Sequence, residues 1–563
     1  MMRKILYGLA CLLSSLLLLS SCSSKKDLDI PLDAALVLHI DGKNINEKLP
    51  WPAVYQSKWF QVAQSESGFD SFANKLLKDP TETGLDIAGD GWLFVVNKGK
   101  GAYQAMVWDL SDAAKLESLM KKSSKKFTIN KKGSNSYIID GNSLLIWDEK
   151  KIMLLNDASE LTREINSSTN PLDGGMEEVP EEEFAFTAND LLVIAQEIKD
   201  LKASQKLSED DKFDELMDTK GDVHFWFNLG KMYGNSLNSS LLSLSKVNAL
   251  IDGNISTATV QFNDGSIDVS TKGYASQQLE DLYEKYKMTP FDETSLQNIP
   301  AGEVNLALAI NYPPAGVKAL LTLLGFDGLA NMFLQNAGFS LDDFIKGNGG
   351  NLFLTLSDFN VKKVYQTAKR SGKEVITDST TEMDGKLLFG AEVKERKSFD
   401  KMIDLFKTML PSLIGGETDK SLKIPYQIRD KWFLAGNDST QVNKYAAAKT
   451  NHAFIDRIKG HPIGLYVNLS SLFKGGQAVA EEDPLGKQAM ELSQTFWKEL
   501  TLTGGTFSKG ASTNQIKITL GESNKNSLQS LNQYLGKIVT LIQENEQRET
   551  IPEPVPVPAP KRK

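Results

Sequence analysis

Four histidines, one cysteine outside the leader, and a few serine–lysine and glycine patterns are the residues here whose types can do chemistry. His39, His224, His452 and His461 nowhere form the His-x-x-x-His pair with which one helix face holds zinc. His39 lies in an alternating strand and faces away from Leu38 and Ile40, while His224 opens another strand. All four read as structural or exposed. Ser471-Leu472-Phe473-Lys474 fits Ser-x-x-Lys, but Lys449-Thr450 is followed by Asn451, so the Lys-Thr-Gly partner is missing. No Gly-x-Ser-x-Gly elbow occurs. Gly89-x-Gly91 and Gly347-x-Gly349-Gly350 lack a third glycine and lead into strands, so they read as turns and not as phosphate loops. The 72 carboxylates contain no spacing that singles out an acid–base pair. No catalytic residue, metal ligand or cofactor is expected, and the chain reads as non-enzymatic.

The informative thiol is Cys22. Arg3 and Lys4 open the chain, Ile5 to Leu19 is apolar, and Ser20 and Ser21 are small. That is a secretory leader over 1–21, too short and wrongly flanked for a membrane span. Leu19-Ser20-Ser21-Cys22 resembles the lipobox of bacterial lipoproteins, which implies diacylglycerol on the Cys22 sulfur, cleavage before it and acylation of the new amine. One acyl chain anchors only marginally and two or more anchor firmly. Residues 22–30 form a polar tether. By analogy with lipoprotein sorting, Ser23 favours the outer membrane. Lys25 and Lys26 stand where an acidic surface-export signal would be, which favours the periplasmic leaflet over surface exposure. The other cysteine, Cys11, leaves with the leader, so no intramolecular disulfide is available.

At 563 residues with a formal charge of −9, the chain has material for several cores and no cationic field for nucleic acid. The elements repeat. Ala34–Asp41 pairs with Leu306–Asn311, and Gly89–Val96 with Asn348–Thr355. Tyr103–Trp108 pairs with Lys386–Val393, and Ile152–Asp157 with Phe433–Asp438. His224–Leu229 then matches Gly464–Leu469, so His224 has Gly464 as its counterpart. Ile255–Phe262, turning at Asn263-Asp264-Gly265 into Ser266–Lys272, matches Leu500–Ser508 and Gln515–Leu520. Each half closes on an amphipathic helix, one with Leu279, Leu282 and Tyr286, the other with Leu528, Leu531, Leu535, Ile538 and Ile542. Ser111 reads as a helix N-cap.

The expected fold is α+β: two diverged tandem copies, each of antiparallel sheets with helices packed on one face. The expected units are 31–172 and 184–290 in the first half, then 298–450 and 451–546 in the second. The lipobox, Ile30-Pro31 with Ala34–Asp41, and Gly84-Leu85-Asp86-Ile87 before the Gly89 strand resemble the Bacteroidetes lipoproteins grouped as domain of unknown function 4836. That resemblance implies no activity.

Residues 173–183 carry Glu177, Glu178, Glu181, Glu182 and Glu183 around Pro180 and read as an acidic linker, without the spacing of a calcium loop. Lys121, Lys122, Lys125, Lys126, Lys131 and Lys132 read as a helix end and exposed turn. The proline-rich tail, 547–563, is expected to be extended. The functional expectation is a lipid-anchored envelope protein that binds or organises another envelope protein or a glycan, its membrane partner met through the anchor. Trp51, Trp59 and Trp92 are candidates for lining its groove. The alternative is a periplasmic carrier of an apolar ligand such as lipid, with an envelope-polymer hydrolase third.

Overall fold

A computed structural model describes residues 29–67, 71–99, 101–122, 127–160, 186–233, 251, 253–335, 338–370, 373–413, 424–480 and 483–549. Cys22 and the expected leader before it, the expected acidic linker, Lys125, Lys126 and the tail beyond Glu549 lie outside the described residues.

Among the described residues the fold is α+β, built on one antiparallel sheet of 18 strands. The first half supplies β1 (Leu36–Ile40), β2 (Gly91–Lys98), β3 (Gly101–Asp109), β4 (Asn130–Lys132), β5 (Asn135–Asp140), β6 (Ser143–Trp147), β7 (Lys151–Asp157), β8 (Val223–Asn228), β9 (Ile255–Asn263) and β10 (Ser266–Tyr274). The second supplies β11 (Val304–Asn311), β12 (Asn348–Arg370), β13 (Lys373–Val393), β14 (Tyr426–Arg429), β15 (Trp432–Gly436), β16 (Ile463–Val467), β17 (Trp497–Ser508) and β18 (Ala511–Leu520). At the centre β10 pairs with β18. Outward from β10 the order is β9, β8, β1, β2, β3, β7, β6, β5, β4. Outward from β18 it is β17, β16, β11, β12, β13, β15, β14.

Local chemistry explains the turns. Asn263-Asp264-Gly265 closes β9 onto β10 with Gly265 at φ 68°, a left-handed position that costs glycine little. Gly91 brings its backbone against the Trp108 ring, where a Cβ would sit 2.2 Å from a ring carbon. The helix after β3 is capped one residue later than expected. Asp112 Oδ1 accepts from Lys115 N, while Ser111 Oγ donates to Gly84 O. Lys121 and Lys122 do end that helix exposed, but Lys131 and Lys132 lie in edge strand β4 and not in a turn.

The expectation of helices on one face fails in the first half, where both faces are covered. On one side, Ile40, Trp108, Leu145, Trp147, Ile152 and Leu154 pack with Ile45, Trp51, Val54, Phe60 and Leu116 from the helices after β1 and β3. On the other, Phe94, Leu144, Ile146 and Leu155 pack with Leu191, Ile194 and Ile198 of helix Ala188–Lys199. Consecutive residues of β6 and β7 therefore all meet hydrocarbon, which is why Leu144–Trp147 and Ile152–Leu155 are unbroken apolar runs. The second half has a buried cluster formed by Phe353, Leu388, Trp432, Leu434 and Tyr445 with the short helices Glu293–Gln297, Ser439–Lys444 and Ile455–Ile458.

Two strands are longer than the alternation indicates. β12 and β13 run 23 and 21 residues, and Asn360–Arg370 and Lys373–Asp384 pair with each other beyond the rows held by β11 and β15. The result is a two-stranded arm off the sheet.

Candidate functional site

The four histidines fall into two environments. His452 is buried and its Nε2 sits 3.2 Å from Ile299 O, a packing contact, and His461 is half-buried. His39 and His224, 185 residues apart in sequence, are brought together by the β1–β8 register. Their Nδ1 atoms lie 3.0 Å apart, His39 Nε2 lies 3.2 Å from Asp90 Oδ1, and His224 Nε2 lies 2.7 Å from Thr219 O. The Trp92 ring stacks on His39 with centroids 4.0 Å apart.

The hydrogen-bond network assigns the protons in this chain. A carbonyl only accepts, so His224 Nε2 carries hydrogen. Burial, with His39 beside it, lowers the His224 pKa to about 4, so the ring is neutral and its Nδ1 accepts. His39 Nδ1 must then donate across the pair, and its Nε2 faces Asp90 Oδ1. His39, His224, Asp90 and Trp92 are all buried, with His39 3% and His224 4% exposed. The pair is held inside the sheet by this network, tying β1 to β8.

In the second half, the positions in the same strand order hold Ala309, Gly464 and Phe353. A Cβ on Gly464 would lie 2.7 Å from Ile458 and 3.0 Å from Phe291. Hydrocarbon fills the space that imidazoles occupy in the first half.

Ser471 is also structural, its Oγ accepting from Asn305 Nδ2 at 2.7 Å and donating to Asn468 O. No group of three or more metal-type ligands occurs among the described residues. Trp51 and Trp92 are core residues, 2% and 5% exposed, and Trp59 donates its indole N–H to Asn532 Oδ1.

One arrangement does have the character of a binding surface. Cross-strand registers align Val223, Val260, Val269, Ile516, Leu502, Leu465, Leu308, Leu354 and Phe389 in one row across nine strands. At the strand spacing of about 4.8 Å, eight steps span roughly 38 Å. Parallel rows hold Leu36, Leu38, Phe225, Leu306, Ile310, Leu352, Leu356, Val467 and Leu500. Every residue of these rows is half-buried, while their neighbours on the opposite face, such as Trp226, Ala307, Ala309 and Phe353, are buried. Helix Ser527–Glu549 meets β9 and helix Pro484–Phe496 meets β17 beside the rows. The former keeps Leu535 and Ile542 each 43% exposed. The surface is thus an apolar cradle, incompletely covered by its own helices.

The opposite face of the first half holds a mixed groove of about 1030 Å³, lined by Lys98, Tyr103, Gln196, Glu197, Lys132 and Lys231 among others. Lys98 and Glu197 pair across it, and burial pushes the Tyr103 phenol up. Its lining mixes charges of both signs with apolar groups, so it lacks the continuous apolar character of the cradle.

No family model and no curated protein matches the chain. Among solved structures, the chain is similar to crystal form III of TP0453 at 8% identity, covering 46% of this chain and 88% of that one with a TM-score of 0.22. For crystal form IV of TP0453 the identity is 8%, the coverage 47% and 87%, and the TM-score 0.24.

Proposed function

We propose that this chain is a lipid-anchored protein of the bacterial outer membrane, facing the periplasm, that binds an apolar ligand of acyl-chain type in the sheet cradle without chemistry of its own. The observation that carries this reading is the nine-strand row of half-buried apolar side chains. Full burial of a Leu, Val or Phe contributes about 1.5–3 kcal/mol, so a fold that leaves such a row half-covered forgoes much stabilisation. Contiguous apolar surface of that extent marks a binding surface.

The two halves, 31–290 and 298–545, are on this reading diverged copies. The order of strands outward from the β10–β18 pair supports it, the seven beyond β18 matching the first seven of the nine beyond β10. Duplication doubles the length of the cradle, because the rows cross the junction without a break.

The binding test uses the chain from Ser23 onward, which keeps every described residue. Extraction of the purified protein, followed by mass spectrometry, is expected to release lipid, and a fluorescent fatty acid should bind the delipidated form. A Leu308→Asp, Leu354→Asp variant with unchanged circular dichroism should retain at least about tenfold less. A wild-type chain that neither releases lipid nor binds the probe sinks the proposal.

The anchor has its own test. Cys22→Ser is expected to keep its leader and fail to acquire radiolabelled palmitate in growing cells. Palmitate incorporation by that variant would remove Cys22 as the acylated residue.

A further inference from the structure

The helix Asp327–Gln335 is an anomaly in this fold, because none of its residues is buried. Leu329, Met332 and Phe333 are 50%, 54% and 66% exposed. Their i, i+3, i+4 spacing puts them on one face. The preceding helix, Pro314–Leu323, meets it at a bend of 118°, and together the two are apolar enough to meet a membrane-span criterion that no single described helix meets. From Pro313 to Gln335 only Lys318 and Asp327 are charged. Lys318 is neutralised by Asp342 at 2.7 Å, and Asp327 sits in the first turn, where the helix dipole favours an anion.

We propose that this bent helix pair is a membrane-docking element, with Leu329, Met332 and Phe333 entering the acyl boundary of a lipid surface. A second copy or a protein partner is the poorer occupant. Large apolar side chains bury about 150–250 Å² at most, so three at half exposure present a few hundred Å². A stable protein interface takes about 800 Å² per partner. A few apolar side chains give reversible binding to a bilayer by themselves and firm attachment beside a second anchor. Here that second anchor is the acylated Cys22, seven residues before Asp29, the first residue described. Only this nearness to a bilayer rests on the function proposed above; the docking itself is measurable without the anchor.

The test is flotation of the chain from Ser23 onward with phosphatidylcholine vesicles. The wild-type chain should float with the vesicles, and a Leu329→Ser, Met332→Ser, Phe333→Ser variant should float at least about tenfold less. Val193→Ser removes another exposed apolar side chain, 55% exposed on a helix of the opposite face, and should float like wild type. All three side chains point away from any core, so unfolding of the variant is not expected, and circular dichroism checks it. Three outcomes overturn the proposal: a wild-type chain that stays with the soluble fraction, a triple variant that floats equally well, or a concentration-dependent dimer that the triple variant abolishes. The last would make a second copy the occupant. The triple variant should still release lipid on extraction, which separates failure of this element from failure of the cradle.

Discussion

Replacing Asp222 with alanine is expected to lower the stability of the fold by about 3 kcal/mol. Asp222 is 2% exposed and sits where β8 begins. Its Oδ1 and Oδ2 accept from Lys48 Nζ at 2.7 and 2.5 Å, and Oδ2 also accepts from Phe262 N at 2.6 Å. The carboxylate thus ties the helix after β1 to the end of β9. Its own backbone takes part too, donating to Val260 O and accepting from Asp41 N. Alanine leaves the Phe262 N–H without that acceptor and the lysine without its counter-ion. The Lys48 side chain is 26% exposed, so its ammonium rehydrates, which places the cost at the lower end of the range for broken buried pairs. Asp222→Asn keeps an acceptor for Phe262 and should cost about half as much. Urea unfolding at constant slope measures both. A shift below about 1 kcal/mol for alanine would show that the pair is not holding helix to sheet.

This polar knot also marks the limit of what the chain reveals in one dimension. Alternation in Ala34–Asp41 and Leu306–Asn311, the Asp-Gly turn at 264–265, and the charged turns at 148–150 and 429–431 are local signals. Each appears in the structure at its expected place. The one-face expectation went wrong because Leu144–Trp147 and Ile152–Leu155 show no alternation, and an unbroken apolar run reports burial on both sides without saying what covers each. The long β12–β13 arm was missed for the opposite reason. Ser379, Thr380, Thr381 and Asp384 give no apolar period, since an arm paired only with itself has no core face to mark. The meeting of His39 and His224 depends on a register between strands 185 residues apart. Position 224 against Gly464 was the one available signal. It told against shared catalysis but could not show which residue each imidazole meets. The cradle was half legible: Leu306, Leu308 and Ile310 alternate as a strand face should. How closely the helices descend on that face depends on tertiary packing, which no local pattern encodes.

The same histidine pair sets the acid sensitivity of the fold. His224 titrates near pH 4 in the folded chain and near 6.5 when unfolded, because burial penalises the imidazolium and His39 adds to that penalty. The folded pKa is the depressed one, so the unfolded state binds the proton more readily between these values. Stability contributed by neutral His224 is therefore complete above about pH 6.5, falls as pH drops toward 4, and changes no further below it. A difference of about 2.5 units corresponds to a loss of about 3 kcal/mol, an upper figure for a ring that still reaches Thr219 O. His224→Gln keeps a donor toward Thr219 and an acceptor toward His39 but cannot take up the proton. Its stability should be lower than wild type at pH 7.5, and the gap should close or reverse by pH 4.5. Thermal unfolding across this range decides the matter, and parallel profiles for the two chains would show that the ring is not the titrating group. The second half, with Ala309 and Gly464 at these positions, has no such pair and should keep its protection from hydrogen exchange over the same pH interval. Acid would then loosen β1 and β8 first, on the first-half side of the cradle, while the β11–β16 side stays formed.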